Sequence, residues 1–327
     1  MKRREFLALL AVGAWPVATH AQPAKKVYRV ALVGGNGPQS TMRELSITQA
    51  FIEGMRELGY SEGENIEYEF HSADGKIADR SGPIVQELVA RGVDVIVVAA
   101  ALLAKEMIRH TTTVPIVMAA GQDLVAMGVV SSLSRPGGNV TGFSNQTGPE
   151  IDAKRLQFLK EVAPRVSTVI YLGAKSDWET HEEALRSAAQ RLGITISYIE
   201  HSLAGHAEAF RAVEYARPDA LLVSAFTSLW VKRQAIIEFA HGRRISVMYP
   251  WREYVLAGGL ISYGVDLVDQ WRRTASYVDK ILRGADPAVL PIQLPTNFEL
   301  VINLQTAKAI GIEIPAPILA QAAHVIE

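Results

Sequence analysis

Charged and polar side chains follow several predicted strands, at positions where a folded chain can hold a small ligand. The stretch VMYPWREYVLAGG (residues 247–259) is the clearest case, because Trp251, Arg252 and Glu253 interrupt its apolar run. A guanidinium can grip a carboxylate through two parallel N–H bonds, so Arg252 is a candidate carboxylate clamp. The alternative for this arginine is a salt bridge to Glu253 or Asp266.

An earlier stretch, VMAAGQDLVAMGV (residues 117–129), repeats the same frame of Val-Met, an acid, Val and Gly. Asp123 stands there in the place of Glu253, and it can pair with a ligand ammonium or cap a helix N-terminus. Glu253 is interpreted as a helix cap. The residues between differ, small in the first stretch and bulky in the second, which makes Trp251 and Arg252 candidate specificity residues.

The other candidate ligand contacts lie in loops directly after predicted strands or where the chain leaves a predicted lobe. They are Gly35, Asn36, Ala100, Ala101, Gln122, Ser144, Asn145, Ser176, Asp177, Ala225, Phe226 and Tyr263. Ser144 and Asn145 suit either a hinge or ligand hydrogen bonds, and Tyr263 can line a cleft or fix a hinge. Trp178 and Phe226 can anchor packing or stack on an apolar ligand.

The loop GGNGPQS (residues 34–40) is glycine-rich and precedes a predicted helix. Its backbone N–H groups can cradle a carboxylate or phosphate, or the loop can be a plain tight turn. It lacks the Lys-Ser/Thr pair of a P-loop and the full GxGxxG spacing, so the sequence argues against nucleotide binding.

Catalytic chemistry finds no support in the sequence. The eight histidines are dispersed, without an HExxH pair or a close set of metal ligands, and no G-x-S-x-G elbow occurs. We expect His181, His201, His206 and His241 to lie on solvated helical surfaces. The absence of cysteine excludes disulfides, a thiolate nucleophile, thiolate metal sites and lipidation at cysteine. The sequence therefore predicts a protein with no catalytic residues, no cofactor and no metal.

Elements that must position these residues come in two similar series of short apolar strands alternating with amphipathic helices. The first series of strands is predicted at residues 28–34, 66–70, 94–99, 115–119 and 140–144, and the second at 168–173, 194–200, 219–225, 245–250 and 260–264. Helices are predicted at 42–58, 77–91, 101–110, 150–162, 178–192, 206–216 and 229–241. Since sheets of ten or more strands are uncommon, we predict an α/β fold of two doubly wound βαβ lobes.

The tail does not begin a third lobe. A long helix from about residue 265 to 283 is followed by the Pro-rich connection GADPAVLPIQLP, and then by a strand and a short helix capped by Asn303. These elements must complete the existing lobes. We predict lobe 1 at residues 27–143 plus about 265–290, and lobe 2 at 144–263 plus about 291–327. Three extended crossings, near residues 143–144, 263–264 and 290–295, then frame a small-molecule cleft at facing strand ends.

The N-terminal stretch MKRREFLALLAVGAWPVATHAQPAKK reads as an export signal, with a basic start, an apolar run and a small-residue exit. Its apolar run is shorter than the roughly 20 residues of a membrane span. We predict a signal over residues 1–21, cleaved near Ala21, and RREFL fits the Sec or the twin-arginine route. The net charge of -1 gives no attraction for nucleic acid or for an anionic membrane.

Several longer stretches carry a family resemblance, among them FIEGMRELGYSEGENIEYEF, VPIVMAAGQDLVAMGVVSSLSRPGGNVTG and LAGGLISYGVDLVDQWRRTASYVDKILRGADPAVLPIQLPTNFELVINLQTAKAIGIEIP. From Tyr28 to Glu327 the chain resembles the exported solute-binding proteins of ABC importers with the type I periplasmic-binding fold, in the branch that includes tryptophan and tyrosine binders. The resemblance implies a monomeric periplasmic receptor without enzymatic activity. Its cleft would close on a small solute, an amino acid or related carboxylate, for delivery to a membrane permease.

Two positions at the predicted cleft depart from that family. Relatives often carry Thr-Pro or Ser-Pro after the third strand, where this chain has AAALLAKE (residues 99–106), and Asn-Pro where it has GAKSDW (residues 173–178). The resemblance therefore does not fix the ligand. A sensor of the same fold that feeds a signalling receptor is the alternative function, and an exported α/β enzyme would need a catalytic constellation that the sequence lacks.

Overall fold

A computed structural model describes residues 26–202 and 205–327. The predicted export signal lies outside these described residues. No helix within the described ranges is long and apolar enough to cross a membrane.

The first half of the chain forms a five-stranded parallel sheet in the order β2-β1-β3-β4-β5. Its strands are β1 (Tyr28–Gly34), β2 (Ile66–Ser72), β3 (Val95–Val98), β4 (Ile116–Met118) and β5 (Val140–Gly142). Its helices are α1 (Ser46–Glu57), α2 (Ile77–Ala90) and α3 (Ala101–Met107), with a 3₁₀ helix at Gln39–Glu44. All four residues of β3 are buried, as expected for a central strand covered on both faces.

The second sheet has seven strands in the order β12-β11-β10-β9-β8-β6-β7, with β11 antiparallel to β10. Its strands are β6 (Thr168–Gly173), β7 (Thr195–Glu200), β8 (Ala220–Val223), β9 (Ser246–Tyr249), β10 (Ile261–Val265), β11 (Phe298–Asn303) and β12 (His324–Ile326). The helices in this part are α4 (Glu150–Val162), α5 (Lys175–Leu192), α6 (His206–Ala216), α7 (Thr227–Val231), α8 (Arg233–Arg243), α9 (Arg252–Leu256), α10 (Leu267–Leu282), α11 (Leu304–Ile310) and α12 (Ala316–Leu319). The two sheets confirm the predicted fold of two similar α/β lobes.

Helix α10 leaves the second sheet and packs on the first one. Its buried face, including Trp271 and Tyr277, joins the same apolar core as Phe51 of α1. The two helices touch at Gly54, where a Cβ would lie 2.5 Å from the carbonyl oxygen of Arg272. Only glycine permits this approach, which anchors α10 to the first lobe.

The chain then returns to the second sheet as β11, so it passes between the lobes three times. The first and third crossings run side by side: the Ser144 amide donates to the Gln293 carbonyl (2.9 Å), and the Gln293 amide donates to the Gly142 carbonyl (2.9 Å). At the second crossing, Asp266 caps α10 by accepting from the amide of Asp269. The crossings are thus hydrogen-bonded segments.

No helix follows Asp123 before α4 in the described chain. Residues 124–127 form a turn in which the Met127 amide donates to the Asp123 carbonyl (2.8 Å), and Asp123 itself adopts a left-handed φ of 53°. The capping role considered for Asp123 is therefore wrong. In the second lobe α9 does form, but its N-cap is Trp251, and Glu253 lies within its first turn. Glu253 is therefore not the N-cap residue.

Candidate ligand-binding cleft

Loops at the carboxyl ends of the parallel strands carry the candidate residues in both lobes. The candidate residues of the first lobe are together called rim 1. They are Gly35 and Asn36 after β1, Ala100 and Ala101 after β3, Gln122 and Asp123 after β4, and Ser144 and Asn145 after β5. The candidate residues of the second lobe are together called rim 2. They are Ser176 and Asp177 after β6, Ala225 and Phe226 after β8, and Trp251 and Arg252 after β9, with Tyr263 within β10.

Two of the rim 1 residues tie neighbouring loops together. The Ser144 hydroxyl is buried and donates to the Gly121 carbonyl (2.7 Å), while the Asn145 side-chain oxygen accepts from the Gly121 amide (3.0 Å). These bonds fasten the loop after β4 to the first crossing. Both side chains therefore hold that loop against the first crossing.

The remaining rim 1 candidates differ in how far they reach solvent. Asn36 and Asp123 are exposed, Gln122 is partly buried, and Ala101 is buried in the first turn of α3. Gly35 accepts from the Gly75 amide through its carbonyl (2.9 Å). Among the residues that the structure describes, Asp123 therefore offers the accessible charge of this rim.

Asp177 of rim 2 lies partly buried in the first turn of α5. Burial raises the pKa of its carboxyl, and the charges of Asp152 and Asp123 raise it further, while the Ser224 hydroxyl and His181 act against the rise. Asp123 belongs to the other lobe. Strands β5 and β10 each lead from their carboxyl ends into a crossing, so the two rims lie on the sides of the lobes that the crossings join.

Next to Asp177 lies a buried ionic network that the sequence did not reveal. Asp152 of α4 is 1% exposed and receives bonds from Arg155 (2.6 Å) and from the Tyr171 hydroxyl (3.3 Å), and it pairs with Nδ1 of His181 (2.6 Å). Burial opposes ionisation of Asp152, but Arg155 and His181 outweigh it and hold its pKa below the usual value. Arg155 also donates to the carbonyls of Tyr263 (2.7 Å) and Pro250 (3.3 Å).

The expectation that His181 and His201 are solvated is wrong. His181 is partly buried against Asp152, which overcomes the effect of burial and raises the pKa of the imidazole. His201 is 1% exposed and lies 3.0 Å from the ring nitrogen of His206. These partners come from separate elements that the fold brings together, so helical periodicity alone did not indicate them.

Trp251 belongs to an aromatic cluster under rim 2. Its indole is 9% exposed and meets the ring of Trp230 edge-on, with the centroids 5.4 Å apart, and it stacks more distantly on Tyr254. Phe226, which packs against the same core, is partly buried. Phe226 and Trp230 thus retain partial exposure, while Trp251 and Tyr254 are buried.

Arg252 forms an ion pair with Glu299 of β11 at 3.2 Å. The sequence analysis offered Glu253 or Asp266 as its partner, and it missed Glu299 because the antiparallel return of β11 was not readable from the sequence. Glu299 is 4% exposed. Burial and the charge of Asp266 raise its pKa to about 7, with a smaller rise from Glu253 and an opposing effect of Arg252.

Tyr263 connects the rim with the second crossing. Its ring is partly buried between Phe158 (centroids 5.0 Å apart) and Phe298 (6.0 Å), and its carbonyl holds Arg155. A ligand contact at the edge of this ring and a hinge role are compatible in this position.

Facing rims at the strand ends of two α/β lobes form the geometry of a solute-binding cleft, and a comparison with known families agrees. Residues 41–326 match the model of the family described as ABC transporter substrate binding protein. The chain belongs to this family of ABC transporter substrate-binding proteins. Its members bind solutes and are not classed as enzymes.

Proteins similar to this substrate-binding protein include one named for the amino acid that it binds and several with solved structures. A tyrosine-binding protein of Clostridioides difficile is 24% identical over 269 residues, covering 81% of this chain and 76% of the relative. An ABC domain from Streptococcus pneumoniae, solved in complex with L-Trp, is 25% identical with a TM-score of 0.77 and covers 92% of this chain and 100% of that one. A conserved domain protein from Vibrio cholerae is 27% identical, with the same TM-score and coverage.

Proposed function

We propose that this protein is an exported, periplasmic substrate-binding protein that captures a small solute, an amino acid or related small carboxylate, between its lobes and delivers it to an ABC permease. The single observation that carries the proposal is the pair of facing rims, built at the strand ends of two lobes that three crossings join. The leader would be removed near Ala21 by the Sec or twin-arginine route, and the mature chain would act as a monomer.

Similarity to a tyrosine-binding protein and to a domain solved with L-Trp supports an amino acid as the solute. The chemistry of the rims is compatible with such a ligand, since acidic groups, a guanidinium and an aromatic cluster lie around the cleft. An amino acid offers a cation, an anion and a side chain, and each of these can contact one of the three kinds of group. The ion pair of Arg252 with Glu299 means that a ligand carboxylate would compete with Glu299 for the guanidinium.

A binding screen tests this function. Mature protein starting at Gln22 is heated with each of the proteinogenic amino acids, small aromatic carboxylates, nucleosides and sugars. A specific ligand raises the midpoint of unfolding by mass action, and at 100 times Kd the gain is about 2.7 kcal/mol. We expect a shift with one amino acid or a small group of them. A shift with sugars or nucleosides alone, or with no member of the screen, would refute the proposed ligand class.

Delivery is tested separately with the cognate permease reconstituted in proteoliposomes. Ligand-loaded protein should stimulate ATP hydrolysis by the importer, whereas the ligand alone should not. Conversion of the bound solute into a product, followed over time by mass spectrometry, would instead support an enzyme.

A further inference from the structure

The parallel pairing of β9 with β10 stops at the rim 2 end of the second sheet. Its last pair is Tyr249 with Ser262, and Pro250, which follows, has no N–H to continue the ladder. The two backbones still touch beyond this pair, because a Cβ at Gly264 would overlap with the Pro250 carbonyl oxygen. Glycine permits this close approach. The Pro250 carbonyl is therefore buried against the start of the second crossing without a ladder partner.

The carbonyl of Tyr263 points to the same place. Residues of an antiparallel pair of strands alternate between pairs that exchange hydrogen bonds and pairs that do not. The Asn303 amide donates to the Leu260 carbonyl (2.9 Å) and the Asp266 amide donates to the Asn297 carbonyl (3.1 Å), so even-numbered positions along β10 bond to β11. Tyr263 therefore turns its carbonyl away from β11 and towards β9.

A guanidinium from α4 supplies donors for both carbonyls. Arg155 donates through Nε to the Tyr263 carbonyl (2.7 Å) and through Nη2 to the Pro250 carbonyl (3.3 Å). Its Nη1 donates to Asp152, three residues earlier on the same helix (2.6 Å). Each guanidinium nitrogen of this 2% exposed residue thus has its own acceptor. A planar fork with fixed donor directions fits three such acceptors, whereas a lysine ammonium is a flexible point charge.

The burial of this ion pair needs an explanation other than stability. Asp152 is held in turn by the Tyr171 hydroxyl of β6 (3.3 Å) and by His181 of α5 (2.6 Å). A buried pair seldom stabilises a fold more than apolar side chains of the same volume would, because both charges lose their hydration. Apolar side chains could not, however, hold two backbone carbonyls. Through Arg155, α4 is fastened to the second crossing and to the loop after β9.

We infer that Arg155 is a positioning residue of rim 2, which sets the loop that carries Trp251 and Arg252 against the second crossing. The inference rests on the proposed function and deepens it. Trp251 and Arg252 directly follow Pro250, whose carbonyl Arg155 holds. Arg155 acts on the solute through these neighbours, and it does not touch the solute itself. A site that is ordered in advance spares the ligand the free-energy cost of ordering it, so loss of Arg155 should weaken binding.

Arg155→Lys tests the inference, because lysine keeps a charge beside Asp152 and lacks the planar fork. In the ligand-free protein, hydrogen–deuterium exchange of the amides at residues 251–257 and 263–266 should become at least about 10-fold faster. Exchange in β6 and β8 should stay as in the wild type. A role of Arg155 in general stability alone would instead raise exchange throughout the second sheet.

Arg211→Lys is the matched control, since Arg211 pairs with Glu208 at the same i,i+3 spacing on an exposed helix surface. Isothermal titration with L-tryptophan and L-tyrosine, at a temperature where all variants are folded, measures affinity. For the amino acid that the wild type binds more tightly, Arg155→Lys should weaken binding by about 10-fold. Arg211→Lys should stay within about twofold of the wild type in affinity and in exchange.

Nuclear magnetic resonance of the unaltered protein keeps the inference testable if Arg155→Lys does not fold. With isotope-labelled arginine, a guanidinium held by three acceptors should exchange its Nε proton slowly and give separate Nη signals, because its rotation is hindered. The exposed Arg211 should give averaged signals.

Averaged signals for Arg155 would overturn the inference, and so would wild-type exchange at residues 251–257 in Arg155→Lys. Unchanged affinity in Arg155→Lys would overturn its role in binding. These outcomes leave the proposed function standing. If the wild type binds neither amino acid, the exchange and resonance measurements decide on Arg155, and the wider binding screen decides on the proposed function.

Discussion

At the residue scale, the Arg252–Glu299 pair makes stability depend on pH. The pKa of Glu299 is raised to about 7, above the value near 4.5 of an unperturbed glutamate, mainly because the carboxyl is buried and faces Asp266. The native state therefore holds a proton that the unfolded chain has already lost between these pH values. The free energy of unfolding consequently falls as the pH rises from about 4.5 to 7, and it levels off above that.

Glu299→Gln should remove this loss of stability. Glutamine keeps a hydrogen-bond acceptor for Arg252 and stays uncharged. Between pH 5 and pH 8 the free energy of unfolding of the variant should therefore improve by about 1–3 kcal/mol relative to that of the wild type. Urea unfolding at both pH values measures the difference. Glu313→Gln, which changes an exposed glutamate, is the control. An equal pH dependence of stability in Glu299→Gln and in the wild type would show that Glu299 is ionised throughout this range.

The buried Asp152–Arg155 pair and the exposed Glu208–Arg211 pair have the same i,i+3 spacing on helices, with side chains 1–3% and 67–68% exposed. Asp152→Asn should lower the free energy of unfolding by about 3–5 kcal/mol, because Arg155 keeps a buried charge without its partner. Glu208→Gln should leave it almost unchanged, since exposed pairs contribute little. Chemical denaturation of both variants decides, and a small effect of Asp152→Asn would mean that water replaces the lost partner.

At the element scale, the contact of α1 with α10 depends on one glycine. A Cβ at Gly54 would lie 2.5 Å from the Arg272 carbonyl oxygen and 3.0 Å from Cβ of Ala275. Gly54→Ala should therefore push the helices apart and cost about 1–3 kcal/mol. Gly242 lies inside α8 with no neighbouring atom within 4 Å of its ideal Cβ, so Gly242→Ala should stabilise the protein by about 0.5–1 kcal/mol. Melting curves that rank the two variants in the opposite order would contradict this account of the packing.

Local patterns predicted many elements because their signals are contained within a few residues. The helix expected at 150–162 coincides with α4, and the expected cap Asn303 accepts from the Thr306 amide at the start of α11. The small C-terminal strand β12 and the pairing of β11 with β10 were not foreseen. They depend on which distant strand edge is free, and no periodicity in the sequence encodes that choice.

For the candidate site, too, local sequence patterns indicated positions but not long-range partners. Strand ends indicated where the cleft residues lie, because ligands of α/β sheets bind there as a rule. Partners across the fold were not indicated: His181 meets Asp152 from another helix, and Arg252 meets Glu299 from a strand added late in the chain. Which of the rim residues touch the ligand stays a prediction until a complex is measured.

At the scale of the whole molecule, Arg273 of α10 links the segments that join the lobes. Its guanidinium donates to the side chains of Gln293 (2.9 Å) and Thr296 (2.9 Å) in the third crossing, and it lies 5.1 Å from the ring centre of Phe143 at the first. We therefore expect Arg273 to stiffen the hinge. The neighbouring Arg272 pairs instead with Glu57 of α1.

Arg273→Ala should speed hydrogen–deuterium exchange of amides at residues 142–146 and 290–297, because those crossings lose a shared anchor. Arg272→Ala removes the same charge from the adjacent position and should leave exchange in these segments unchanged. Mass spectrometry of peptic fragments resolves both regions. Equal exchange in the two variants would place the stiffness of the hinge elsewhere, in its backbone hydrogen bonds.

The central claim is that the solute is held between the two lobes. Small-angle X-ray scattering of the mature protein, without ligand and saturated with the amino acid that binds it, tests this claim most directly. Closure of the lobes around the ligand predicts a smaller radius of gyration in the saturated sample, and this decrease should be lost in a sample given an amino acid that does not bind. An unchanged radius of gyration at full saturation would contradict capture by closure of the cleft between the lobes.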